Sequence, residues 1–508
     1  MMQIHSAITL PQLLALHEPT SSAIGAPGRT DMTRCELANM VQLVGGALRG
    51  QGIGQKDAVA IVMPNGPEMA VLFPAVACWS IAAPLNAAYR EEEFDFYLGD
   101  LDTKAVILMS GQDSPVRSVA ARRGIKVIEV SAKIDRPAGE FELSIPSDNI
   151  ERPNPDPADI ALVLHTSGTT SRPKIVPLSH RNLTASASNI ADALALTPVD
   201  RSVVIMPLFH IHGLIGALLS SLLAGGSLFC PPGFNALKFY SWLAESNATW
   251  YTAVPTMHQA ILSRAERNIE IIQNQRLRLI RSSSASLPPQ VMAELERVFA
   301  CPVIESYGMT EASHQMASNP LPPRPRKPGS VGIAAGPEVA IMGPDGELLP
   351  RGNIGEIVIR GENVTAGYAN NPKANAEGFI NGWFRTGDQG TIDAEGYLSL
   401  TGRLKEIINR GGEKIAPREV DEVLMDHPAV AQVVTFGMPH AMLGEDVAAA
   451  VVLKEGQDVS EKELRSFASE RLADFKVPRK VIFLTEIPKG ATGKIQRIGL
   501  ADKLGLSA

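Results

Sequence analysis

From Val41 to about Tyr240, helical hydrophobic patterns alternate with short β-branched runs, among them Ala58 to Met63, Ala105 to Met109 and Val203 to Met206. Strands separated each time by a helix-length segment do not pair as hairpins, so the pattern predicts parallel βαβ units with helices on the faces of the sheet. Such a domain needs a sizeable apolar core. The chain supplies one, with 508 residues of which 45% are hydrophobic and 20% charged, an ordinary globular balance. At this length about three domains are expected, or two if one is a large α/β unit.

Further along, the punctuation changes. Proline and glycine become dense between Pro320 and Gly346, and Glu338 to Met342 and Gly355 to Arg360 read as hairpin-connected strands of a β subdomain. After Gly402-Arg403-Leu404-Lys405, amphipathic helices around Pro417 to Met425 and Ser460 to Leu472 alternate with strands Ala431 to Phe436 and Val447 to Leu453. A region of this kind can fold alone. The expected fold class is therefore α/β: a large N-terminal α/β domain of several subdomains, residues 1–402, followed by a small α+β domain, residues 403–508.

Two uncharged stretches, Met69 to Tyr89 and Gly213 to Leu237, are long enough to raise the question of a membrane. Pro74, Pro84 and Asn86 interrupt the first, and Gly225-Gly226 and Pro231-Pro232 the second, so each reads as a buried helix, a turn and a buried strand. No membrane span is expected. Lysine and arginine number 47 against 54 aspartates and glutamates, a net charge of −7, which argues against nucleic acid as a partner. No obligate protein partner is evident. Cys35, Cys78, Cys230 and Cys301 form no C-x-x-C pair and read as buried, reduced thiols. Met1 to Leu16 lacks the basic n-region and h-region of a signal peptide, and the tail is no peroxisomal address, so a cytoplasmic location is the expectation.

The chemistry begins at Ile160-Ala-Leu-Val-Leu-His165, a buried strand that runs into Thr166-Ser-Gly-Thr-Thr-Ser-Arg-Pro-Lys174. Hydroxyls, backbone N–H groups freed by a tight turn and a terminal cation are what a polyphosphate requires in place of water. The Walker pattern G-x-x-x-x-G-K-[ST] is absent. Taken alone, such a loop is equally well a polar surface turn.

The whole nonapeptide resembles the phosphate-binding signature of the adenylate-forming superfamily of acyl-CoA synthetases, luciferases and adenylation domains, with Ile175 where the family usually has glycine. The superfamily's other motifs follow in order: Pro207-Leu-Phe-His210, Tyr307-Gly-Met-Thr-Glu311, Trp383-Phe-Arg-Thr-Gly-Asp388, Gly402-Arg403 and Gly493-Lys494. The resemblance implies activation of a carboxylic acid by ATP, with Mg2+, followed by transfer to coenzyme A. Attack of a carboxylate on the α-phosphorus brings two anions together, so cations and a metal are needed there.

By that resemblance Thr166, Ser167, Gly168, Thr169, Thr170 and Lys174 hold phosphates, and Ser284, Ala285, Ser286, Tyr307, Gly308 and Thr310 lie along the nucleotide. Glu311 holds the metal, Asp388 accepts the ribose hydroxyls, and Arg403 donates to ribose or phosphate. Lys494 is the principal catalytic residue, bridging carboxylate and α-phosphate, with Thr310, Glu311 and His210 beside it. Lys405 is the hinge about which the small domain moves as a lid, presenting Gly411, Gly412 and Glu413 on the CoA side. No protein nucleophile is needed, because the adenylate is itself a good leaving group.

His210, His212, His314 and Ser284 are donors suited to the far carboxylate of a short dicarboxylate, whereas a fatty-acid tunnel would be lined by apolar groups. Trp250, Tyr251 and His258 read as core packing. The strings Ala248 to Thr256, Arg281 to Leu287 and Met309 to His314 are similar to those of oxalate–CoA ligases of plants and fungi. The resemblance therefore makes oxalate the first expectation for the small carboxylate substrate. Malonate, a short or medium monocarboxylate, an acyl-AMP ligase feeding a carrier protein, and a non-enzymatic nucleotide-binding regulator are the alternatives.

Overall fold

A computed structural model describes residues 8–148, 153–166, 173–488 and 497–506. The chain forms two compact units. One takes in the described residues up to Val339 together with Ile359–Phe384, and the other takes in Ala340–Val358 and the described residues from Arg385 onward.

In the large unit the alternation becomes two sheets. The seven-stranded sheet runs, in spatial order, Phe141–Leu143, Lys126–Ala132, Ala105–Met109, Ala58–Val62, Ile81–Pro84, Ile160–Thr166, Lys174–Ser179. Its inner pairings are parallel and its two outermost pairings antiparallel. The nine-stranded sheet has a parallel centre, in which Leu279–Ser282 lies between Trp250–Ala253 and Val303–Met309, and antiparallel pairings toward its ends. Its strands are buried on both faces. Trp250 and Tyr251 are fully buried, as their reading as core requires.

Local chemistry explains the helices that cover these sheets. Arg34–Gly50 starts at a capping box in which Thr33 Oγ1 accepts from Glu36 N (3.2 Å) and Glu36 Oε2 accepts from Thr33 N (2.7 Å). Leu37, Val41, Val44 and Leu48 then bury one face at i, i+4, i+7 and i+11. Cys35 lies off that stripe and is exposed, which corrects the expectation of four buried thiols; Cys78, Cys230 and Cys301 are buried and all four are free.

Both uncharged stretches fold as helix, turn and strand. The first is Pro67–Ala77 followed by Ile81–Pro84, and the second is a π-helix, His212–Leu219, running into Ser220–Leu223 and then Ser227–Phe229. Among the described residues no helix is long and apolar enough to cross a membrane. The strand expected at Val203 to Met206 instead spans Arg201–Val203. After Val204 N donates to Phe229 O (2.9 Å), the chain leaves the sheet toward Pro207. The strands Glu338–Met342 and Gly355–Arg360 are neighbours in a five-stranded sheet.

In the small unit, strand Ile408–Arg410 pairs with Glu413–Ile415 and with Gly444–Leu453, which also carries Val430–His440 antiparallel and Lys480–Phe483 parallel. Val420 and Leu424 from helix Pro417–Met425, with Leu464 and Ala468 from helix Glu461–Ser469, close a core against one face of this sheet. Val434 and Phe436 meet Ile487, Leu500 and Ala501 on the other. The region is α+β.

Candidate active site

Thr166 ends its strand directly opposite Lys174 in an antiparallel register, so the segment between them is returned on itself and closes on the lysine. Ile175, where the family usually has glycine, is buried with Ala83 and Val163 against Ala369, so an isoleucine there gains apolar burial. Ser167, Gly168, Thr169 and Thr170, and likewise Lys494, lie outside the described residues.

Lys174 does not stand alone. Its Nζ sits 4.4 Å from the centroid of the Tyr368 ring, within cation–π range, and the Tyr368 hydroxyl donates to Glu311 Oε1 at 2.9 Å. The lysine of the first motif and the glutamate of the third therefore share one tyrosine. The segment around Tyr368 is tied to both sides. Thr365 N donates to Glu311 O (2.7 Å) and its hydroxyl to Pro177 O (2.8 Å), while Asn363 Nδ2 donates to the carbonyls of Ala312 (2.8 Å) and Gln315 (2.9 Å). Thr310 is half-buried at the head of the turn that carries the buried Glu311. Tyr307 is buried and Gly308 half-buried on strand Val303–Met309.

The second cluster is built from imidazoles. His212 and His314 are each 1% exposed, and their rings stack with centroids 4.7 Å apart and planes 21° from parallel. His212 lies between two hydroxyls, with Nδ1 3.0 Å from Ser284 Oγ and Nε2 2.6 Å from Thr252 Oγ1. Two glycines make room. A Cβ at Gly216, in the π-helix, would stand 2.7 Å from His314 Nε2 and 3.0 Å from the His212 ring, and one at Gly308 would stand 3.0 Å from His314 Nδ1.

Backbone strain concentrates at the same place, with φ of +69° at Ser284, +48° at Ser313 and +104° at His314. Non-glycine residues hold such angles only where their surroundings over-determine them, and functional sites are where these accumulate. His210 is half-buried beside the Phe209 ring, 4.7 Å between centroids; the ring pair is made by His212 and His314. Ala285 and Ser286 are exposed, just after Ser284.

Behind the pair lies Arg281, 0% exposed. Its Nη1 donates to His314 Nε2 at 2.9 Å and its Nη2 to Gln315 Oε1 at 3.0 Å, and among the described residues its buried Nε has no hydrogen-bond partner. Gln315 Nε2 is itself committed to the carbonyls of Asn189 (3.0 Å) and Ala335 (3.2 Å). Burial pushes the guanidinium down to about 9, so it stays charged at neutral pH. His258, next in this layer, is fully buried and pushed down to about 3 by the same cause; it is a neutral core residue.

In the small unit, Asp388 and Arg403 face each other across two antiparallel strands, and Arg403 Nε is 3.0 Å from Asp388 Oδ1. The aspartate is buried and the arginine exposed. Lys405 is exposed two residues on. Gly411 and Gly412 form the two-residue turn of a hairpin in which Arg410 pairs with Glu413. Their φ values, +58° and +100°, are those a tight hairpin turn of this kind asks of glycine. Both glycines and Glu413 are exposed, and nothing lies within 4 Å of where a Cβ on Gly412 would be.

Among the described residues no three His, Cys, Asp or Glu side chains cluster to hold a metal. A magnesium ion suits the residues present all the same. It needs only one or two carboxylates when substrate phosphates complete its shell, and the buried Glu311 carboxylate beside Lys174's tyrosine supplies the protein's share.

Sequence reasoning passed over Arg281, Thr252 and Tyr368. Arg281 opens a serine run that looks like surface, and the signal against that reading was its place in a strand of apolar neighbours. Tyr368 ends Asn363-Val-Thr-Ala-Gly-Tyr368, whose polar residues flanking a glycine were the available sign.

Residues 14–369 match the family model described as AMP-binding enzyme, and residues 419–494 match that described as AMP-binding enzyme C-terminal domain. The chain is 46% identical over 489 residues to an oxalate–CoA ligase of Arabidopsis thaliana, covering 94% of this chain and 95% of the relative. It is also 46% identical over 481 residues to an oxalate–CoA ligase of Saccharomyces cerevisiae, covering 89% and 88%. The crystal structure of ATP-bound MatB from Rhodopseudomonas palustris superposes with a TM-score of 0.89 at 31% identity, over 98% of this chain and 99% of that one.

Proposed function

Because the chain belongs to the AMP-binding enzyme family, we propose that it joins oxalate to coenzyme A by way of oxalyl-adenylate. A carboxylate oxygen of oxalate attacks the α-phosphorus of ATP, the bond to the β-phosphate oxygen breaks, and pyrophosphate leaves. The thiol of coenzyme A then attacks the activated carbonyl carbon. The bond from that carbon to the AMP oxygen breaks, and oxalyl-CoA and AMP result.

In this reading Thr166, Ser167, Gly168, Thr169, Thr170 and Lys174 hold the phosphates, and Tyr368 orients Lys174 and Glu311 together. Glu311 holds magnesium, which supplies charge neutralisation at those phosphates. Gly308 and Thr310 approach the α-phosphate, Tyr307 and Ser284 to Ser286 border the nucleotide, and the Asp388–Arg403 pair takes the ribose. Lys494 neutralises the charge that builds as the two anions meet. Residues 1–402 form the large domain and 403–508 a lid that turns about Lys405, bringing Gly411, Gly412 and Glu413 to the thiol of coenzyme A.

The observation that carries oxalate over a longer acid is the buried imidazole pair. A fatty chain gains nothing from His212, His314 and Ser284, whereas a second carboxylate two carbons long needs donors fixed at short range. The test is a panel of acids from oxalate to octanoate with ATP and coenzyme A, scored for AMP and for the acyl-CoA formed. Oxalate should lead and AMP should equal oxalyl-CoA. Octanoate in first place, or ATP turned over to ADP, would overturn the proposal.

A further inference from the structure

Arg281 is a costly residue to keep where it is. A cation taken wholly out of water is normally repaid by a carboxylate at close range, yet the hydrogen-bond acceptors that Arg281 meets among the described residues, His314 Nε2 and Gln315 Oε1, are neutral. The cluster of Arg281, His314, His212, Ser284 and Thr252 therefore lacks one negative charge. Packing does not explain it, since methionine fills a comparable volume without the cost.

The guanidinium also decides the state of His314. Arginine only donates, so His314 Nε2 must accept, and a neutral imidazole that accepts at one nitrogen carries its proton on the other. His314 is thus held with N–H at Nδ1, the atom that borders the space left by the absent side chain of Gly308. Gly308 belongs to the motif that runs into Thr310 and Glu311. A fixed N–H donor, with a full positive charge behind it and a stacked second imidazole beside it, suits an anionic oxygen and is wasted on an aliphatic one.

We propose that Arg281 is the charge-selecting residue of this site: a positioning residue that fixes His314 as an Nδ1 donor and reserves the cluster for the second carboxylate of a dianionic acid. The inference rests on the oxalate reading for the identity of the acid, but concerns why a dianion is preferred to a monoanion. The second carboxylate takes no part in bond making, so its contribution is uniform binding and should appear in KM rather than kcat.

The test compares oxalate with glycolate, a two-carbon monocarboxylate, in wild type and in Arg281→Met, Arg281→Gln and Arg281→Lys. For Arg281→Met, kcat/KM on oxalate should fall about 100-fold, mainly through KM, as when one partner of a buried charge contact is lost. Glycolate should change by less than about threefold, an energy too small to signal a lost contact, so the preference for the dianion collapses. Arg281→Gln should behave like Arg281→Met, and Arg281→Lys, which keeps the charge, should retain much of the preference; these two decide the matter if the methionine variant does not fold. Selective 15N labelling of histidine should show His314 as the Nδ1–H tautomer in wild type and a mixture in Arg281→Gln.

An unchanged ratio of oxalate to glycolate, or equal loss on both acids, would overturn the inference and leave Arg281 a structural residue. Wild-type enzyme that ignores oxalate but prefers malonate to propionate would refute the oxalate reading alone, and the same variants would then be judged on that pair. A wild type that prefers the monocarboxylate in both pairs would refute both.

Discussion

Two arginines three residues apart, one on each side of the same short strand turn, have opposite surroundings. Arg278, just before strand Leu279–Ser282, meets Asp200 through two bonds, Nε to Oδ1 at 2.6 Å and Nη2 to Oδ2 at 2.9 Å, and spends its remaining donors on the carbonyls of Leu194 (3.0 Å) and Ala195 (3.1 Å). Asp200 is as well supplied, accepting also from the Thr249 hydroxyl (2.7 Å) and from Thr197 N (2.8 Å). Arg281, inside the strand, meets neutral acceptors, and its Nε has no partner among the described residues. The first arginine is complete and ties loops together. The second is complete only when an anion comes to its cluster, which is the mark of a site rather than of a scaffold.

The contrast can be broken from either end. The largest effect expected is on activity, where Arg281→Met should cost oxalate about 100-fold in kcat/KM. Its melting temperature should meanwhile stay level or rise, because replacing a buried cation by an apolar side chain removes its desolvation cost. Asp200→Ala should do the reverse. Leaving Arg278 without its carboxylate should lower stability by about 2–3 kcal/mol, below the cost of breaking a fully buried pair because Arg278 is partly solvated. Urea unfolding measures the loss, and the ratio of oxalate to glycolate should not move.

Tyr368→Phe stands between these cases, removing a neutral donor from a buried carboxylate that the reaction is proposed to use. A loss of about 1–2 kcal/mol of transition-state binding is expected, roughly five- to thirtyfold in kcat/KM, with little change in unfolding. The smallest effect is on pH dependence. Burial pushes the Asp200 carboxyl up, but the bonds from Arg278, Thr249 and Thr197 outweigh it and hold the group below its ordinary value. Its contribution to stability is therefore full above the unfolded value of about 4 and is lost as pH falls through the lower folded value. In Asp200→Asn the fall of stability below about pH 4 should be shallower than in wild type.

The same strand shows what could be read from the sequence and what could not. Alternating helical and β-branched patterns were enough to place parallel strands such as Ala105–Met109, and the helix Pro417–Met425 fell where its periodicity put it. The motif from Tyr307 to Glu311 announced itself as a string. The burial of Arg281 did not, because a charged residue beside three serines has the composition of a surface loop, and only the two neighbouring parallel strands bury it. The pairing of Tyr368 with Glu311 joins residues far apart in the chain, and no local spacing rule reaches that distance. The π-helical turn at His212–Leu219 was likewise hidden, since an apolar run of this length reads simply as helix. Cys35 was misplaced for a smaller reason, its composition being weighed without its angle on the helix.

Everything above depends on oxalate, not water or a protein side chain, being the group that displaces pyrophosphate. Oxalate labelled with 18O in its carboxylates, turned over with unlabelled ATP and coenzyme A, tests this directly. The oxygen that attacks phosphorus stays with the nucleotide when the thiol cleaves the carbon–oxygen bond, so each AMP should carry one 18O and pyrophosphate none. AMP without label, or label in orthophosphate with ADP as the nucleotide product, would contradict the account.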